Sequence, residues 1–244
     1  MPVPLNIIAN ADDLGLNPSV NRAILFCFEQ GYINSTSMLT NTAYFEETVN
    51  LIYENPSIQN IGIHINFAEG RPVTNFCNIN FLDNNGNWKI DKFKKKMFLM
   101  DKQTKLAFLK EICAQIDKAV DNKILIKHID SHYHLHTLPY FYNLFIEAAK
   151  QYKLKLRIAQ TYREGSILKF TYRKIINRLI SSNNNNYSDY FENVNHFLNH
   201  RKTFSANKTI EIMLHPDFMP SGQLTDHFDS ASMSDWLTYL GKTG

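Results

Sequence analysis

Four of the chain's nine histidines fall inside one stretch of nine residues, His128-Ile129-Asp130-Ser131-His132-Tyr133-His134-Leu135-His136. Every second residue there is polar or ionisable, so an extended backbone would line one face with imidazoles and a carboxylate. Neutral imidazole is the commonest metal-binding side chain. Imidazole mixed with carboxylate suits Zn²⁺ and other divalent first-row ions. Not all of these groups can bind one ion. A metal-bound imidazole needs a partner on its other nitrogen, and Asp130 is the candidate for that supporting role.

Three more positions carry ionisable groups at the ends of apolar runs. Asp12-Asp13 closes the first run, and such a pair suits a division of labour in which one carboxylate binds a metal and the other takes a proton from water. Adjacent strand residues point opposite ways, so both enter one site only where the backbone begins to turn, and Gly15 is placed to make that turn. The competing role, capping the next helix, is already filled by Asn17. His64 lies late in a middle run, with Asn66 as its polar neighbour on the same face; alone, such a histidine is more often a satisfied core or interface group than a ligand. His215-Pro216 ends the last apolar run, where a strand-end histidine is either a reactive group or a simple cap.

The elements that must position these residues are strands alternating with helices. Leu5–Ala11, Ser35–Thr40, Asn60–Phe67, Ile124–Asp130, Leu154–Ala159 and Thr209–His215 read as strands. Helical spacing covers Val20, Ala23, Ile24, Cys27 and Phe28, with Asn17 as N-cap, Pro18 at the first helical position and Gly31 as the stop. Further helices are predicted over Tyr44–Tyr53, around Leu106 to Val120, and over Pro139–Lys153. Such alternation predicts a mostly parallel sheet, whose strand C-termini share one edge, and that edge carries the site. Asp83 to Trp88 reads as a turn or hairpin insertion, Ser181 to Asn186 as a polar surface connector, and Lys92 to Lys96 as a solvated basic face.

Composition bounds the function. At 244 residues and 44% hydrophobic, the chain is a globular protein with ample core. Net charge +3 is too mild for a nucleic-acid footprint. No apolar run is long enough to span a bilayer, and the first ten residues lack the basic start of a secretory signal. Three scattered cysteines, Cys27, Cys77 and Cys113, form neither a disulfide framework nor a CxxC zinc site, which points to the cytoplasm. No GxSxG, P-loop or GxGxxG is present, and no cysteine lies beside the histidine cluster to act as a nucleophile.

Four segments together resemble the YdjC-like carbohydrate deacetylase family, which includes chitooligosaccharide and hopanoid-pathway deacetylases. They are Asn10-Ala11-Asp12-Asp13-Leu14-Gly15-Leu16, Gly62-Ile63-His64-Ile65-Asn66 with Glu69-Gly70-Arg71-Pro72, His128 to His136, and Glu211-Ile212-Met213-Leu214-His215-Pro216. Their order is the family's, and they span about residues 4 to 220. The resemblance implies a single domain with a distorted (β/α) barrel similar to the polysaccharide deacetylases. It implies removal of acetyl groups from N-acetylated sugars with one divalent metal ion, Zn²⁺ or Mg²⁺. By position, Asp13, His64 and His132 match the metal-binding residues, Asp12 the general base and His215 the general acid. His136 and Arg71 lie in matching motifs, and with Asp130 they are candidates for contacting substrate or supporting a ligand. Leu14 replaces the family's usual phenylalanine. The family continues past the region of Trp236 to Leu240, whereas this chain stops at Gly244; a barrel without its last element is either less stable or completed by another subunit, which admits a homo-oligomer. Trp88, Phe67 and Tyr133 are candidates for stacking on a sugar ring.

Two other functions fit the same residues. A metal-dependent phosphoesterase on a similar barrel also uses Asp and His at strand ends, but commonly gathers two or three ions. A non-catalytic carbohydrate- or metal-binding homologue would have no use for an acid–base pair such as Asp12 and His215.

Overall fold

The computed structural model describes residues 3–89, 100–182 and 186–241. The basic run at Lys92 to Lys96 and the middle of the Ser181 to Asn186 connector lie outside the described residues.

Seven parallel strands form one sheet in the order β5-β4-β3-β2-β1-β7-β6. They are β1 (Ile7–Leu14), β2 (Ser35–Met38), β3 (Ile61–Ile65), β4 (Ile126–Ser131), β5 (Lys155–Leu156), β6 (Tyr190–Asn193) and β7 (Ile210–Leu214). The two outer strands approach each other through their flanks: Tyr187 N donates to Leu156 O (2.9 Å) and Thr161 N donates to Phe191 O (3.0 Å). The sheet therefore curls into a distorted, single-domain (β/α) barrel. Helices α1 (Pro18–Glu29), α2 (Phe45–Glu54), α3 (Lys102–Asp121), α4 (Tyr142–Tyr152), α5 (Ile167–Ser181), α6 (Val194–His200) and α7 (Ser230–Tyr239) accompany it. A separate antiparallel pair, β8 (Pro216–Phe218) and β9 (Leu224–Asp226), follows β7. Among the described residues no helix is long and apolar enough to cross a membrane.

Local chemistry explains the boundaries. Asn17 Oδ1 accepts from Ser19 N and Val20 N, with Pro18 beginning α1, and Gly31 follows its end at φ 67°. The Asp83 to Trp88 insertion is a hairpin closed by an antiparallel bridge between Leu82 and Trp88. Strand ends differ from the sequence expectation by a few residues, and β5 is the most shortened, with only Lys155 and Leu156 keeping the ladder. The terminal α7 is fastened by Trp236, which is buried and donates Nε1–H to Tyr32 O (2.8 Å).

Alternation assigns the two faces opposite chemistry. Ala9, Ala11, Ile63, Ile65, Ile129 and Ile212 belong to the apolar core. Residues of the other parity, Asn10, Asp12, Ser37, His64 and Asp130, are buried and hydrogen-bond one another inside the curl. Gly62 occupies one of these inward positions. His128 lies flat on Tyr187 (ring centroids 3.9 Å, 14°), and a Cβ added at Gly62 would fall 2.3 Å from His128 Nε2. Gly62→Ala is therefore expected to cost about 1–3 kcal/mol as overpacking. A urea melt indistinguishable from wild type would show that the imidazole can move aside.

Trp88 and Phe67 do not await a sugar. Both are buried in an aromatic cluster with Phe76, Phe81 and Phe108, Phe67 at 5.0 Å from Phe108 and Trp88 at 4.8 Å from Phe76. Their packing between the hairpin insertion and α3 is structural.

Candidate metal centre and active site

The C-terminal strand edge gathers residues from β1, β3, β4 and the end of β7. On β1 the pairing register shifts between Ala11 and Leu14, and Asp13 takes the left-handed conformation at φ 71°. This bulge, not the later Gly15, lets two consecutive aspartates enter one site. Aspartate tolerates that conformation better than most residues, and such strain concentrates at functional positions.

The histidine stretch departs from the extended expectation. β4 ends at Ser131, and His132–Thr137 curls through tight turns broken by a kink at Tyr133 and His134, which are left-handed at φ 55° and 56°. Ser131 Oγ stitches the curl by accepting from His136 N (2.8 Å) and pairing with His136 Nδ1 (2.8 Å). The imidazoles are dispersed as a result. His128 lies deep on Tyr187, His132 turns to Asp13, His134 lines a cavity, and His136 packs on Phe145 at 5.8 Å.

Asp13, His64 and His132 do converge: their donor atoms all lie within 4.8 Å of one another. Asp13 Oδ1 is 3.2 Å from His64 Nε2 and 2.8 Å from His132 Nδ1. All three residues are buried, yet neither Asp13 oxygen receives a hydrogen bond of good geometry. Nitrogens and oxygens that crowd without pointing at each other fit a cation between them, and the donor set of two imidazoles and one carboxylate suits a divalent transition ion. Behind His64, Nδ1 meets Asp130 Oδ1 at 2.7 Å. Burial alone would push His64 down, but Asp130 and Asp12 outweigh it and raise its pKa to about 10. Burial likewise opposes, and the His132 imidazole reverses, so that Asp13 stays well below the usual carboxylate range.

Asp12 is buried beside this cluster. Its Oδ1 accepts from Asn10 Nδ2 (2.7 Å), Ser37 Oγ (3.1 Å) and Arg157 Nη2 (2.7 Å). Its Oδ2 accepts from Arg157 Nη1 (2.8 Å) and stands 3.8 Å from His215 Nε2. Burial raises the Asp12 pKa, and Arg157 with His64 overrides this to hold it far below normal. Asp226 backs His215: its Oδ2 accepts His215 N (2.6 Å) and its Oδ1 lies 3.7 Å from Nδ1. A cavity of about 290 Å³ opens over these groups, walled by Asp12, His64, His132, Tyr133, His215 and Phe228 among others. Tyr133 is thus the one aromatic candidate for sugar contact that reaches the site. Arg71 is exposed, and its carbonyl accepts from Asn41 Nδ2 (3.1 Å).

Three participants escaped sequence reasoning. Arg157 looked like one polar residue in the alternating Leu154 to Ala159 run. The cue was the demand side, since buried aspartates at neighbouring strand ends require a cation. Asp226 and His227 sit in the β9 region without periodicity, and His227 Nε2 lies 3.3 Å from Asp13 Oδ2.

Fold and site together define a barrel protein with a buried Asp–His–His cluster at its strand C-termini. The chain belongs to the YdjC-like family, whose description is "YdjC-like protein" and whose model matches residues 6–238. It is 32% identical to a carbohydrate deacetylase of Vibrio campbellii over 158 residues, which is 63% of this chain and 59% of that protein. It is 26% identical to a carbohydrate deacetylase of Oceanobacillus iheyensis over 215 residues, 88% of this chain and 86% of that one. The match thus spans about six-tenths of the Vibrio relative's length. Among solved structures, an Enterococcus faecalis V583 protein named for cellobiose-phosphate cleavage superposes with a TM-score of 0.69 at 22% identity, over 88% of this chain and 82% of that one. The fold is shared with it.

Proposed function

We propose that this chain is a metal-dependent carbohydrate deacetylase that hydrolyses the acetamido group of an N-acetylated sugar. The observation that carries this reading is the convergence of Asp13, His64 and His132 beside a cavity that also meets Asp12 and His215. The carbohydrate deacetylases it resembles support the substrate class. Asp13, His64 and His132 would hold the ion, which when bound supplies Lewis-acid activation of water and of the amide carbonyl. Asp12 acts as the base through Oδ2, because Oδ1 already accepts three donors. The Arg157 clamp keeps Asp12 ionised, the form a base needs, while lowering its basicity. Water adds to the carbonyl carbon as its proton passes to Asp12. The C–N bond then breaks as His215 gives a proton to the leaving amine, yielding acetate and a free amino sugar. Asp226 fixes the His215 loop so that Nε2 faces the cavity. The same reading sets the protein in a reducing cytoplasm, which its three unpaired cysteines suit.

His215→Ala separates this reading from non-catalytic binding. The variant is expected to keep its metal and lose acetate release by about 10²–10⁴-fold. Wild-type turnover on a panel of N-acetylglucosamine oligomers would sink the acid assignment. A multi-metal phosphoesterase is disfavoured by a specific contact. The second donor set among the described residues, Asp12, His64 and Asp130, is filled by Arg157, whose Nη2 and Nη1 lie 2.7 Å from Asp12 Oδ1 and 2.6 Å from Asp130 Oδ2. Elemental analysis should find one ion per chain.

A further inference from the structure

We propose that His227 is a positioning residue of the metal centre, holding the outer oxygen of Asp13 so that the inner oxygen faces His64 and His132. The inference rests on the metal-centre reading above and adds a residue to it.

The two oxygens of Asp13 have different neighbours. Oδ1 faces His64 Nε2 and His132 Nδ1 at 3.2 and 2.8 Å. Oδ2 faces His227 Nε2 at 3.3 Å. Asp13 projects from a strand bulge in a left-handed conformation, and neither oxygen has a well-directed hydrogen bond to fix it. A carboxylate so placed can rotate about its Cβ–Cγ bond and offer either oxygen, or both, to an ion. The His227 imidazole, 3.3 Å from Oδ2, restricts that freedom by its proximity, not by a directed hydrogen bond. His227 does not share the focus of the other imidazoles: among the described residues, the compact set around Asp13 contains His64 and His132 and not His227.

His227 can hold a carboxylate only if it is itself held, and its loop is well tied. His227 N donates to His215 O (3.0 Å). Asp226 Oδ1 accepts from Phe228 N (3.0 Å) and Asp229 N (3.1 Å), while its Oδ2 accepts from His215 N (2.6 Å). The His227 ring packs against Phe228 at 4.6 Å and His215 at 5.3 Å. The preceding hairpin is anchored to α1 by Ser19 Oγ donating to Asp217 Oδ1 (2.6 Å) and by Phe218 against Phe26 (5.9 Å). One short loop thus fixes both the proposed acid, His215, and the orientation of a proposed ligand, Asp13, which come from opposite ends of the chain.

The test is zinc titration of chelator-stripped protein by calorimetry, with cobalt absorption as a second readout. His227→Ala is expected to weaken zinc binding by about 10–100-fold, the usual cost of losing a group that orients a ligand. His227→Gln, which returns an N–H at similar reach, should recover most of that loss. At saturating cobalt, wild type and His227→Ala should show the same visible bands, because the ligand set is unchanged. Zinc binding by His227→Ala equal to wild type would overturn the proposal. So would a cobalt spectrum altered in that variant, which would make His227 a direct ligand, or an equal loss in the glutamine variant, which would mark simple packing. Wild-type protein that binds no zinc at all would instead overturn the metal centre itself.

Discussion

Asp13→Asn is expected to abolish retention of a divalent cation, and acetate release with it, while leaving a folded protein. The amide is nearly the same size as the carboxylate, so the bulge at the end of β1 need not change. What changes is charge: a neutral amide oxygen replaces the anionic member of the donor set formed with His64 and His132. The loss should exceed the 10–100-fold that removal of a merely supporting partner typically costs. The metal also has a pH signature. In the metal-free protein Asp130 and Asp12 raise His64 to about 10, and Asp13 raises His132, in both cases against the effect of burial. A histidine raised in the folded state stabilises it fully below its unfolded value of about 6.5. That stability is lost as pH rises through the folded value. Metal-free protein should therefore lose stability between about pH 6.5 and 10. A cation must displace those protons, so wild-type metal affinity should rise over the same interval. Chelator competition at several pH values measures this directly, with metal content by elemental analysis for the variant. Stoichiometric metal in purified Asp13→Asn would place the centre elsewhere.

The parts of this site that local sequence physics governs were the legible ones. Asn17 and Pro18 mark the start of α1 because capping needs only neighbours in the chain. Apolar runs separated by helical spacing give the parallel order, and that order alone brings His64 and His215 to one edge. The geometry around Asp13 was legible only in outline. Two consecutive carboxylates demand a turn, but its place at φ 71° on Asp13 comes from pairing with β2, not from Gly15. The 128 to 136 stretch misled for the same reason. Its strict alternation promises a flat face, whereas Ser131 Oγ captures His136 and curls the chain, sending His132 alone to the cluster. Arg157 was hidden by a rule that usually works. In an alternating run the polar residues face solvent, and Lys155 does so, but two positions later the sheet has curled and the same face points inward.

That buried guanidinium is where the fold and the chemistry are bound most tightly, and its removal carries the largest expected effect on stability. Arg157 touches Asp12, Asp130 and Glu211 at 2.6–2.7 Å, and none of the four groups is more than 1% exposed. Breaking a buried ion network from one side leaves charge without a partner, at about 3–5 kcal/mol. For a chain of this size that corresponds to a fall of about 6–20 °C in the unfolding midpoint. Arg157→Met preserves most of the packing volume, so the loss reports charge and not a cavity. Its pH dependence has a definite sign. Burial pushes Asp12 and Asp130 up, and Arg157 is the largest influence bringing them below normal, so in wild type their contribution is present above about pH 3.8 and lost only as pH falls below it. Burial keeps Glu211 at about 7 even with the guanidinium present. Without Arg157 all three carboxyls shift upward, and protonation can then relieve the repulsion among them. The deficit of Arg157→Met should therefore be larger at pH 8 than at pH 5 in chelator-treated protein. Adding Glu211→Gln should recover part of it at pH 8. A deficit that is equal at the two pH values, or unaffected by Glu211→Gln, would show that the arginine acts by packing, and that Asp12 needs no counter-charge to stay ionised beside the metal centre.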